Sequence, residues 1–282
     1  MSITNNQSNI LNQNIGIAGC GEMGYPMLKV LLKNNINATG HDIKASETFK
    51  AFGNKYISSK SDFFLKNDVI LSIVRDTKET EDLLINNKDL LSKKNATILI
   101  CSTLPITYIK KLKENLPRNF TLIDTPMSGS TIKAQEGTLT FMVGGNKDEV
   151  QNVMPLLKLL GDKIIHIGNF GQGMSVKLLN NFIAASSVLA TRNVLAQIND
   201  FGLTEKQLLD VVKCSTGDNW FAQNYNTLNW SKENFKKTNT MGILEKDLLS
   251  YIESKSKDNN DSTIYNYEKS IINGIKNIPK VD

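Results

Sequence analysis

The 282-residue chain has little of what metal centres and crosslinked folds are made from: three cysteines and two histidines. Cys20, Cys101 and Cys214 show neither paired spacing nor a metal-ligand pattern, so neither a disulfide framework nor a zinc site is expected. His41 and His166 alone do not make a histidine-based metal centre. Arginine is also scarce, with Arg75, Arg118 and Arg192 the only three, which leaves no cluster for gripping phosphoryl groups. No run approaches the roughly 18 consecutive apolar residues of a membrane span, so no membrane partner is expected. The opening stretch MSITNNQSNILNQN lacks the basic and apolar regions of a secretory signal, and residues 1–13 are expected to be a disordered extension. These absences together predict a cytoplasmic protein in a reducing compartment.

The charge balance calls for a partner reading of its own. A net charge of +5 and a pI near 8.9 invite nucleic acid. The lysines, however, are scattered over helical stretches, and no basic stripe interleaved with aromatics is present. Nucleic acid is therefore not expected, and the mild positive field suits a small anionic molecule. With 40% apolar and 22% charged residues, the chain can build a real core, and its length fits two domains.

What the chain does contain is a regular alternation. NIGIAG, NATGHD, DVILSIV, ATILICS and FTLIDT read as short strands, and the first four are each followed by a helical stretch of about ten residues. TLTFMVGG and KIIHIG flank a further helix, KDEVQNVMPLLKLLG. Beyond Gly168 the strand signals stop. A long helix from Met174 to Asp200 follows, then LTEKQLLDVVKC, opened by a Thr204/Gln207 capping box. Helical stretches around MGILEKDLLSYIESKSK and TIYNYEKSIINGIK close the chain. The predicted fold is α/β: a parallel-sheet domain over 14–168, then an all-helical domain over 169–282 that begins with the long helix.

Three stretches carry chemistry. In NIGIAGCGEMGYPM, Gly19, Gly21 and Gly24 form GxGxxG after a strand and at the start of a helix, and Asp42 lies 23 positions beyond Gly19 at the end of the next strand. That context marks a Rossmann-type dinucleotide site, with a pyrophosphate at the helix N-terminus and the Asp42 carboxylate on the ribose hydroxyls. The carboxylate favours NAD over NADP, although Lys44 lies close to it. In DTPMSGSTIKAQEGTLTFMVGG, Ser128, Gly129 and Ser130 follow a strand, and small residues there suit an anion-binding concavity as well as a plain turn. On the long helix, Lys177 and Asn181 share one face of an otherwise apolar stretch. Lys177 either snorkels to solvent or lines a water-poor cleft.

Taken together and in this order, these stretches resemble the β-hydroxyacid dehydrogenases, a family that includes 3-hydroxyisobutyrate dehydrogenase and tartronate semialdehyde reductase. The resemblance runs from about Asn14 to Leu249. GIAGCGEMGYPM is similar to the family's cofactor loop, which adds Glu22 and Met23 to the glycines as cofactor contacts. DTPMSGSTIKAQEGTLTFMVGG resembles its substrate-binding segment, GQGMSVKLLNN the start of its catalytic helix, and LEKDLL its late Lys-Asp-Leu motif. The resemblance implies that Ser102 and Thr103 sit by the nicotinamide and substrate, that Ser128 and Gly129 hold the substrate carboxylate, and that Lys246 closes over the site. It implies Lys177 as the proton-transferring group, lowered in pKa by burial, and Asn181 as its orienting neighbour. Trp220 and Phe221 would shape the pocket.

The chain departs from the family where Val74 and Arg75 replace the usual Leu-Pro in the adenine-side loop, and where SKDNNDSTIY replaces a proline-rich stretch. The expected activity is hydride transfer between NAD(H) and a small 3-hydroxy acid or its semialdehyde, with NADP as the alternative cofactor and no metal. The expected partner is a small carboxylate substrate, and the expected assembly a homodimer or homotetramer. Two rival readings are a short-chain semialdehyde or glyoxylate reductase using NADPH, and a cofactor-binding module without catalysis. Relatives of the second kind lose the lysine, as imine reductases usually do, and Lys177 is present.

Overall fold

The computed structural model describes residues 10–44, 47–91, 95–255, 263–279 and 281. It divides into two compact units, Met1–Lys177 and Leu178–Asp282. The first unit alternates strands and helices as far as β4: β1 (Ile15–Ala18), α1 (Gly24–Lys33), β2 (Ala38–His41), α2 (Glu47–Lys50), α3 (Lys60–Lys66), β3 (Val69–Ser72), α4 (Thr77–Leu84), α5 (Lys88–Leu91) and β4 (Ala96–Ile100). It continues through α6 (Ile106–Asn115), β5 (Phe120–Asp124), β6 (Met127–Ser128), α7 (Thr131–Glu136), β7 (Leu139–Gly144), α8 (Lys147–Leu160) and β8 (Gly161–Gly168). Helix α9 (Gln172–Ala196) starts in this unit and ends in the second, which adds α10 (Glu205–Val212), α11 (Trp220–Asn224), α12 (Thr240–Glu253) and α13 (Thr263–Lys276).

The sheet order is β2-β1-β3-β4-β5-β7-β6, with β8 paired to β7. Strands β1 to β5 are parallel, and every residue of β1, β2 and β3 is buried, as expected for a sheet covered on both faces. The sheet is not parallel throughout. β7 runs antiparallel to β5 and to β6, because the two-residue strand β6 lets the chain double back before β7. Ala18 pairs with both His41 and Ser72, so β1, β2 and β3 end level and release their loops at one edge. β1 lies between β2 and β3, which is the point where successive connections leave in opposite directions and where open α/β sheets hold ligands.

Most of the expected N-terminal extension lies outside the described residues. Its last turn does not match the expectation: Ile10–Asn12 form a 3-10 turn, and Ile10 is buried in the main core. In the second unit, Thr204 and Gln207 form the full capping box at the start of α10. Arg192 is fully buried there and donates to the backbone carbonyls of Ser231, Glu233 and Pro279. Buried guanidinium groups are tolerated when several acceptors surround them. Among the described residues no helix is long and apolar enough to cross a membrane.

Candidate active site

The glycine loop is built by close packing. Gly19 has φ +93°, and a Cβ there would sit 2.5 Å from the Ile73 carbonyl oxygen. A Cβ on Gly24 would lie on the Gly19 carbonyl oxygen, so helix α1 can approach the turn only through glycine. Gly21 differs, since a Cβ there would meet nothing within 4 Å. The fold gives no steric reason for that glycine, whereas a pyrophosphate lying against the backbone supplies one. The residues therefore fit a dinucleotide. Glu22 is exposed beside this space and Met23 is half-buried against the core.

At the end of β2 the Asp42 carboxylate is held on both oxygens. Oδ2 accepts the Cys20 N–H at 2.9 Å and Oδ1 the Lys44 N–H at 2.8 Å, while Tyr56 donates its hydroxyl to the Asp42 carbonyl. Burial, and then the nearby carboxylate, push the Cys20 thiol up to about 12, so it is a neutral filler rather than a nucleophile. An open groove of about 480 Å³ adjoins these groups, and Gly19, Asp42, Lys60, Val74, Glu79 and Asp82 line it. Three carboxylates and one ammonium make this groove net acidic, which opposes an additional phosphate. Glu79 and Asp82 were not singled out in the sequence, because a Glu and an Asp on α4 read there as an ordinary solvated face.

Ser102 is committed inside the fold. Its hydroxyl donates to the Val74 carbonyl at 2.6 Å, which ties the β3 loop to the end of β4. Thr103 follows it at intermediate exposure. Ser128 ends β6, Gly129 has φ +143°, and Ser130 is the residue before α7. The left-handed backbone at Gly129 turns the chain between the two serines, and all three remain accessible in part.

The start of α9 is fixed by a residue the sequence reading passed over. Asp124 ends β5, is fully buried, and accepts the Gly171 N–H on Oδ1 at 2.6 Å and the Met174 N–H on Oδ2 at 2.7 Å. A carboxylate at a helix N-terminus takes up donors that lack an intrahelical partner. Burial nonetheless outweighs these bonds and pushes its pKa up to about 6. A Cβ at Gly173 would sit 2.4 Å from the Met142 carbonyl, so the helix can lie on the sheet only with glycine there. The signal was present as an Asp at a strand end followed later by GQG, but nothing local says that they meet.

Lys177 lies one turn beyond this clamp, and Lys177 and Asn181 are each only 9% exposed. In the second unit, Asn181 Nδ2 donates to Asp247 Oδ2 at 2.5 Å. Asp247 Oδ1 stands 2.8 Å from Lys246 Nζ, an ion pair between neighbours in the Lys-Asp-Leu motif. The sequence reading took the lysine of that motif and missed the aspartate, because an acidic residue beside a lysine on a helix reads as solvated. Phe221 does not line a pocket: it is buried in the core of the helical unit, with its ring against Tyr225 and Trp230. Trp220 is exposed.

Comparison with known proteins gives the same class from outside the structure. Residues 14–168 match the family described as the NAD binding domain of 6-phosphogluconate dehydrogenase. Residues 171–260 match the family described as NAD-binding of NADP-dependent 3-hydroxyisobutyrate dehydrogenase. The chain is 32% identical over 217 residues to an NAD-dependent L-serine dehydrogenase of Pseudomonas aeruginosa, covering 75% of this chain and 73% of that protein. It is 29% identical to mouse mitochondrial 3-hydroxyisobutyrate dehydrogenase, covering 75% of this chain and 65% of the mouse protein. In fold it resembles the 3-hydroxyisobutyrate dehydrogenase of Mycobacterium tuberculosis, with a TM-score of 0.78 at 22% identity over 93% of this chain and 92% of that one. The fold is thus that of an NAD(P)-dependent oxidoreductase acting on CH–OH donors. The chain belongs to the β-hydroxyacid dehydrogenase family.

Proposed function

We propose that this protein oxidises a small 3-hydroxy acid, of the size of 3-hydroxyisobutyrate or serine, with NAD as hydride acceptor, or reduces the matching semialdehyde. The observation that carries the reading is the Lys177–Asn181 pair, buried on one face of a helix whose first turn is clamped by Asp124. Asp42 holds the adenosine ribose, and the glycine loop lies against the pyrophosphate. Ser128, Gly129 and Ser130 bind the substrate carboxylate, with Thr103 beside it. Ser102 positions the loop through Val74 rather than touching substrate, and Lys246 acts from the helical unit.

Bound NAD supplies the hydride acceptor. Lys177, as the neutral amine, accepts the proton leaving the substrate hydroxyl, and in the reverse direction its ammonium protonates the developing alkoxide. Asn181 orients both partners from one turn along the helix. The acidic groove favours NAD over NADP, so the NADPH-dependent reductase is the weaker reading. The protein is proposed to work in the cytoplasm as a homodimer or homotetramer. That assembly is supported by Leu179, Ile183 and Val194, large apolar residues exposed along α9. The test is a panel of 3-hydroxy acids and semialdehydes assayed with NAD(H) and NADP(H), following the absorbance of the reduced nicotinamide. Turnover of glyoxylate with NADPH alone would favour the reductase, and no turnover of any of them would favour a non-catalytic module.

A further inference from the structure

We infer that Asp247 is a positioning residue that fixes the polarity of the Asn181 amide and keeps its oxygen turned toward the reacting groups. The inference rests on the proposed role of Asn181 beside Lys177. An ionised carboxylate is an acceptor only, so the atom of Asn181 that meets it must be the amide nitrogen. That contact is short, at 2.5 Å, and buried, and it joins residues 66 apart in sequence on α9 and α12. Rotating the amide by half a turn would set its carbonyl oxygen against a carboxylate oxygen with no proton between them. One orientation is therefore held and the other barred.

Among the described residues, Asp247 Oδ2 is hydrogen-bonded to Asn181, whereas Oδ1 is buried with an ammonium beside it and no hydrogen bond. That ammonium is Lys246 Nζ at 2.8 Å, and Asp247 itself is 3% exposed. A carboxylate this buried needs a countercharge, and the preceding lysine provides it. Lys246 thus acts in part as the partner that lets a charged residue sit behind Asn181. On the other end of the amide, Asn181 Oδ1 accepts from Asn180 Nδ2 at 3.2 Å. A carbonyl oxygen has two lone pairs, so in this orientation it can also receive a donor such as the substrate hydroxyl. The pair thus makes Asn181 an acceptor toward the proton in flight.

The test is a double-mutant cycle between Asn181→Ala and Asp247→Asn, joined to side-chain amide NMR of uniformly 15N-labelled full-length protein. Rates are measured with NAD on 3-hydroxyisobutyrate and L-serine. In the wild type, the Asn181 NH2 resonances, assigned by their loss in Asn181→Ala, should show slowed solvent exchange. Asp247→Asn should lower kcat by about 10- to 100-fold through misorientation, weaken that protection because the new amide can meet Asn181 either way round, and leave KM for NAD within about 2-fold. In the Asn181→Ala background the same change should cost less than about 2-fold, since residues acting as a unit are not additive. Additive losses would overturn the inference. So would fast amide exchange in the wild type. The wild-type exchange measurement decides even if Asp247→Asn does not fold. An inactive wild type with a protected amide would sink the proposed function and leave the amide assignment standing.

Discussion

The clamp at Asp124 makes a stability prediction that can be worked through from the structure. Its folded pKa is raised to about 6 from an ordinary 3.8, with burial the largest cause. Between those values the unfolded carboxyl has lost its proton while the folded one still holds it. Unfolding then releases a proton, so this group's contribution falls as pH rises through the window and levels off above pH 6. With those two pKa values the linkage gives a loss of about 1.4 kcal/mol between pH 5 and pH 7.5. Asp124→Asn removes the titration. It also turns an amide N–H toward a backbone N–H of Gly171 or Met174, which costs about 1–3 kcal/mol at pH 5. The gap between wild type and variant should therefore narrow by about 1.4 kcal/mol on going to pH 7.5. Urea unfolding of the cofactor-free protein at both pH values measures it, with the m-value checking that the transition stays two-state. A gap that stayed constant or widened would mean that the two N–H bonds outweigh desolvation and that the folded pKa is not raised.

Other expectations concern the chemistry. Lys177→Ala should lower turnover at least about 100-fold with little change in melting temperature, and Asn181→Ala should cost less; activity loss that merely tracked unfolding would return Lys177 to a structural role. Asp42→Ala should narrow the preference for NAD without reversing it, because Glu79 and Asp82 still line the groove; titrating NAD and NADP by nicotinamide fluorescence would show it, and a full reversal would remove those two carboxylates from the argument. Gly129→Val should raise KM for the hydroxy acid while NAD affinity holds, and the φ of +143° adds local strain that should appear as a lower melting temperature; unchanged substrate affinity would move the carboxylate site elsewhere.

Much of the architecture could be read from period and punctuation. Strands buried on both faces show as short apolar runs such as ILS and ILIC, and glycines between strand and helix mark the nucleotide loop. The capping box at Thr204 was legible because both of its partners lie within four residues. The antiparallel turn at β6 was not, since two residues carry no period. For the same reason the site was read through its nearby pairs and missed its distant ones. Lys177 and Asn181 are one turn apart, whereas Asp124 meets Gly171 across 47 residues and Asp247 meets Asn181 across 66. Ser102 illustrates a further limit. Its position was legible, but its hydroxyl is taken up by the Val74 carbonyl, and only coordinates show where a donor is directed.

The boundary between the two compact units falls between Lys177 and Leu178, inside α9. The glycine loop, Asp42, the Ser128 segment, the Asp124 clamp and Lys177 all lie on one side of that cut. Asn181 and its bond to Asp247 lie wholly on the other. No hydrogen bond described for the site has to be broken to divide the gene at this codon. Within a helix, the join also needs only that the register of the turn be kept. Splicing at this seam leaves the glycine loop, Asp42, the Ser128 segment and Lys177 in place. A chimera joined there should keep this chain's cofactor preference, since the groove that sets it lies wholly before the seam.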